Sequence, residues 1–181
     1  SSDLIACALT IWVSIMLLSG CTEKSSYDTP TITVTIEPLR YFTEQIAADR
    51  FKVVTMVPQG GSPETYEPSA QQMAALAHSS LYIKVGEIGF ERTWTKRLQD
   101  NAPHCLFINA SEGIEPLSTP HGHADPHTWM STKNARLMAQ NIFKALCQVN
   151  TADSALFRQN LNTLLATIDS VDTTIRQQLN K

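Results

Sequence analysis

Four short runs rich in β-branched and other apolar residues, each followed by an amphipathic stretch, constrain this chain more than any other feature. "TITVTI" (31–36), "FKVVTMV" (51–57), "LYIKVG" (81–86) and "HCLFIN" (104–109) have the length and composition of strands. Pro38 suits the first turn of a helix through Leu39, Phe42, Ile46 and Ala47. Ser69 is placed to cap a helix over 69–79, and Phe90, Trp94 and Leu98 recur at helical spacing over roughly 90–101. Strands that alternate with helices in this way pair in parallel through right-handed crossovers. The expected fold is therefore α/β: an open, mainly parallel four-stranded sheet with helices on both faces. Two helices follow, 131–149 with Ser131 at its N-cap and 153–180 with Leu161, Leu164, Leu165, Ile168, Val171, Ile175 and Leu179 on one face. The second is about 40 Å long, more than a four-strand domain requires, and predicts a continuation into a further domain.

Ahead of the first strand, "LIACALTIWVSIMLLSGC" is apolar from Leu4 to Leu18 and closes on small residues, the layout of an export signal. It falls short of the about 20 apolar residues that span a bilayer. Leu18-Ser19-Gly20-Cys21 resembles the lipobox of bacterial lipoproteins, which implies cleavage before Cys21 and lipidation of that cysteine. Residues 1–20 are then a signal peptide, 21–30 a polar tether, 31–152 an α/β lobe and 153–181 a long terminal helix. Cys105 and Cys147 are too few and too far apart for a disulfide or zinc-ribbon framework and read as small hydrophobes of the interior. A net charge of -3, with no stretch interleaving Lys/Arg and aromatics, argues against nucleic acid as a partner.

Open parallel sheets bind ligands off the carboxyl ends of their strands. Two unusual loops leave the chain at that end. "PQGGSPETYEP" (58–68) presents Glu64 from a turn fixed by Gly and Pro, and 110–127 carries His121, His123 and His127, three of the five histidines. Carboxylate oxygen and imidazole nitrogen from separate loops make a mixed site for Zn²⁺ or Mn²⁺. His127, held between Pro126 and the Ser131 helix, has the fixed geometry that an inner-sphere ligand needs, whereas His121 and His123 also fit a solvated loop. A solvated turn is equally open to Glu64.

"DPHTWMSTKNA" (125–135) resembles the Asp-Pro-His-x-Trp-(Leu/Met)-Ser-Pro-x-Asn-Ala motif of the metal-specific substrate-binding lipoproteins of bacterial ABC importers. "GGSPETYEP" resembles that family's Gly-x-x-Pro-His-x-Tyr-Glu-Pro loop, and residues 79–98 its strand–loop–helix segment with a Gly-to-Glu pattern. The resemblance implies two α/β lobes joined by a long helix, with a divalent metal in the cleft between them, the second lobe lying outside this chain. It places metal ligands at Glu64 and His127, with His121 and His123 as a shortened histidine-rich loop. It implies zinc as the metal, with manganese or iron as alternatives because Glu64 stands where the family has His. It further implies an ABC importer permease as partner, attachment to the membrane by a lipid, a monomeric state and no enzymatic activity. Two other readings remain beside capture for import: a surface lipoprotein serving as adhesin or metal store, and a zinc metalloenzyme with a Glu general base, against which stands the lack of an HExxH spacing.

Overall fold

β1 (Thr31–Val34) has Ile32, Thr33 and Val34 all buried, so both of its faces are covered, the environment of a central strand in a parallel sheet. The computed structural model describes residues 29–115, 117 and 125–180. Cys21, His121, His123, the segment expected to be a signal peptide and most of the expected tether lie outside these. Around β1 stand β2 (Lys52–Thr55), β3 (Ser79–Lys84) and β4 (Leu106–Asn109), in the order β2-β1-β3-β4 with every pair parallel. The buried hydroxyls of the central strands satisfy each other: Thr33 Oγ1 lies 2.7 Å from Ser79 Oγ and Thr35 Oγ1 2.9 Å from the Tyr82 hydroxyl.

The connecting helices are α1 (Glu37–Ala47), α2 (Ala70–Leu76) and α3 (Gly89–Asn101). Right-handed crossovers put α1 on one face and α2 and α3 on the other, and α2 packs on α3 accordingly. α4 (Thr132–Val149) and α5 (Ser154–Leu179) join α1 on its face. The expected α/β architecture with both faces covered is present.

One boundary differs. A helix over 69–79 was expected, but it stops at Leu76, and His78, Ser79 and Ser80 lead into the strand. Ser79 pairs with Thr31 while Ile32 pairs with Leu81, leaving Ser80 as an extra residue whose hydroxyl donates to the Thr31 carbonyl. Inter-strand pairing claims these serines where side-chain pattern alone favours helix.

α5 runs for 26 residues, about 39 Å. Phe157, Leu161, Leu164 and Ile168 are buried against α1 and α4, and Asn160 donates to the Ile46 carbonyl at 3.0 Å. Arg50 meets Asp153 at 3.2 Å, and Thr132 donates to Asp172 at 2.6 Å. Asp172 is thus level with the start of α4, at the carboxyl end of the sheet. The C-terminal part carries Val171, Ile175 and Leu179 exposed, so the apolar stripe expected on one face is covered by the described residues only in its first half. No helix of the described residues is long and apolar enough to cross a membrane.

Candidate metal centre

With the order β2-β1-β3-β4, the connections leaving β1 and β3 run in opposite directions, and the switch point lies between those two strands. The β3–α3 loop, 85–88, opens there. Glu91, one turn into α3, reaches back under it: Oε1 accepts the Val85 N–H and Oε2 the Gly86 N–H, both at 2.6 Å. Burial pushes its carboxyl above the usual carboxylate range, against the pull of Thr35, the two backbone donors and Lys84. The buried carboxyl fixes the β3–α3 loop, which lies beside the loop after β4.

The loop after β4 approaches from one side. Asp125 Oδ1 accepts the His127 backbone N–H at 2.9 Å and lies 2.7 Å from His127 Nδ1. An aspartate that binds the amide two residues on makes an Asx turn, which is what Asp-Pro-His spacing favours. A carboxylate only accepts, so Nδ1 carries the hydrogen of this bond, and in the neutral imidazole the lone pair is then on Nε2. The backbone N–H of His127, then its ring, hold the Asp125 carboxyl below the usual carboxylate range. This carboxylate–imidazole pair is the outer arrangement found behind metal-ligating histidines. Trp129 packs beside the imidazole at 5.2 Å, and Thr128 is anchored by Ser111 Oγ at 2.8 Å and, through its carbonyl, by Asn134 at 3.1 Å. His127 opens on a cleft of about 430 Å³ lined also by Glu115, Asp125, Met130, Ser131 and Asn134.

From the other side the 58–68 loop crosses above β1 to reach the start of α3. The Phe90 N–H donates to the Pro63 carbonyl at 2.9 Å, and the Gly89 N–H donates to Glu64 Oε2 at 2.9 Å. Arg92 Nη2 stands 3.6 Å from the same oxygen. Glu64 is thus engaged with the positive end of α3 and does not line the cleft of His127. Both loops border the β3–α3 loop, so they converge on one region, yet among the described residues no three His, Cys, Asp or Glu side chains are gathered to hold a metal. Cys105 and Cys147 are unpaired and only half-buried.

Sequence reasoning singled out His127 and Glu64. It missed Gly89 and Arg92, whose link to Glu64 spans 25 residues and leaves no local signal, and gave no role to the burial of Glu91. The role of Asp125 was readable from the Asx-turn spacing.

Sheet order, crossovers and anchored polar loops at the switch point define an open α/β lobe of the kind that takes ligands at the carboxyl ends of its strands. The chain belongs to the family described as ZnuA, zinc-uptake complex component A periplasmic, whose model matches residues 32–181. It is 27% identical to the manganese ABC transporter substrate-binding lipoprotein PsaA of Streptococcus pneumoniae, over 97% of this chain and 61% of that protein. Among solved structures it resembles ZnuA, with 34% identity and a TM-score of 0.78 over 83% of this chain and 58% of that one. It also resembles zinc-bound AdcA from Streptococcus pneumoniae, with 26% identity and a TM-score of 0.72 over 81% of this chain and 32% of that one. The chain spans about half to three-fifths of the length of the curated relatives it matches.

Proposed function

We propose that this protein captures a divalent transition metal outside the cytoplasm and passes it to the permease of an ABC importer. The observation that carries the reading is His127, whose Nδ1 is held by Asp125 in a chain of the zinc-uptake family. Zinc is the metal that imidazole favours, with manganese or iron as alternatives if Glu64 supplies an anionic oxygen. The metal is cargo to be released, so binding rather than catalysis is the activity. Support for import comes from relatives named as metal ABC transporter substrate-binding lipoproteins.

His127 is the first ligand in this reading, Glu64 the second, and His121 and His123 serve as auxiliary donors. α5 is the helix that joins this lobe to a second one supplying the remaining ligands, and the protein acts as a monomer. Calorimetric titration with ZnCl₂ tests the site. His127→Ala should lower affinity at least tenfold, about 1.4 kcal/mol or more, and an unchanged isotherm refutes the assignment. Lipidation at Cys21 anchors the protein, so Cys21→Ser should move it from washed membranes to the soluble fraction. Retention of that variant in membranes rules the anchor out.

A further inference from the structure

Glu64 is held by more than proximity. Gly89 has no side chain at the point where the loop lies on α3: a Cβ there would stand 2.3 Å from Glu64 Oε2, 2.6 Å from the Glu64 carbonyl oxygen and 3.0 Å from its Cα. The first-turn N–H of Gly89 therefore reaches the carboxylate directly. Arg92 adds a positive charge to the same oxygen through Nη2, while its Nη1 donates to the Glu87 carbonyl, which keeps the guanidinium in place whether or not Glu64 is present. Both side chains of this ion pair remain about half-exposed, Arg92 at 55% and Glu64 at 45%. An exposed pair of this kind shifts an equilibrium only by about two- to fivefold, so it is readily exchanged.

We propose that Gly89 and Arg92 form a clasp that holds the Glu64 carboxylate while the cleft is empty, that metal capture proceeds by exchange of this clasp for the cation, and that Arg92 thereby sets metal affinity. The inference rests on the capture function and specifies how its second ligand is controlled. Both clasp contacts fall on Oε2, and Glu64 is not among the residues that line the His127 cleft, so a cation held in that cleft is reached only when the carboxylate leaves Gly89 and Arg92. Loading therefore releases the Gly89 N–H, which as a first-turn helix donor is taken over by water. Arg92, retained by Glu87, keeps its charge at the place Glu64 leaves and competes with the cation for the carboxylate at every stage. The device favours release at the expense of affinity, because the clasp offers Glu64 a partner to return to. It also links the occupied state to a change at the surface of the β3–α3 loop.

The test follows the Gly89 amide resonance of the protein while ZnCl₂ is added, with affinities for ZnCl₂ and, separately, for MnCl₂ taken from competition titrations. Metal saturation should move the Gly89 signal to the position it occupies in metal-free Glu64→Ala, and in Glu64→Ala further metal should leave it there. Arg92→Gln should bind about two- to fivefold more tightly than the parent, since a competing charge is gone, and Arg92→Lys should stay within about twofold of it. One-to-one metal binding with an unmoved Gly89 signal, or an Arg92→Gln affinity equal to or weaker than the parent's, overturns the exchange while leaving metal capture standing. A parent protein with no metal binding at all overturns capture itself, and the exchange with it.

Discussion

Both oxygens of Glu91 accept backbone N–H groups in a site that excludes water, an arrangement in which each atom has a definite task. Glu91→Gln keeps the shape but turns one acceptor into a donor that faces the Val85 or Gly86 N–H. We expect a loss of about 1–3 kcal/mol in urea unfolding, the usual cost of an unpaired buried donor. The pH dependence has a definite sign. Burial outweighs the hydrogen bonds and sets the native pKa above the ordinary 4.5, so the folded state binds this proton more tightly than the unfolded one. The contribution is complete below that ordinary value and is lost as pH rises through the native one. The stability gap between parent and Glu91→Gln should then narrow on going from about pH 4 toward neutrality. A gap that widens over that interval contradicts the assignment of Glu91 as the source.

At the scale of elements, strand and helix alternation was legible because a parallel sheet covered on both faces needs continuous apolar runs, and Ile32, Val34, Leu81 and Ile83 supply them. Caps were legible because they are local: Ser69 and Ser131 both accept from the backbone N–H three residues on. Strand order and the start of β3 were not, since Ser79 and Ser80 take their conformation from Thr31, almost fifty residues away. The same limit hid the Glu64–Gly89 contact, while Asp125 and His127, two residues apart, could be paired from sequence. The cap of α2 is a full capping box. Gln72 Oε1 accepts the Ser69 N–H at 2.9 Å and its Nε2 donates to the Met56 carbonyl at 2.7 Å, which ties the start of α2 to the chain just after β2 and so closes the 58–68 loop between them. Ser69→Ala should cost about 1 kcal/mol. The expected signature is a lower urea midpoint with an unchanged slope, and a parental midpoint denies the cap its role.

For the whole molecule, metal binding and folding stability are linked, provided that the loops and the core unfold together. Several contacts join them: Asn141 donates to the Ala110 and Glu112 carbonyls, Thr132 donates to Asp172, and Asn160 on α5 donates to Ile46 on α1. Metal at about 100 times its dissociation constant should stabilise the fold by about 2.7 kcal/mol. For a domain of this size that is a rise of roughly 5–10 °C in melting temperature. Free thiols are the main rival source of a zinc-dependent shift. Burial pushes the Cys105 thiol up to about 11, so it stays protonated near neutrality and is a poor ligand. The shift should accordingly persist in the Cys105→Ser, Cys147→Ser double variant and vanish in His127→Ala. Calorimetric scans with ZnCl₂ and with MnCl₂ check both arms. A shift of parental size in His127→Ala, or one lost with the two cysteines, transfers metal binding away from the loop after β4.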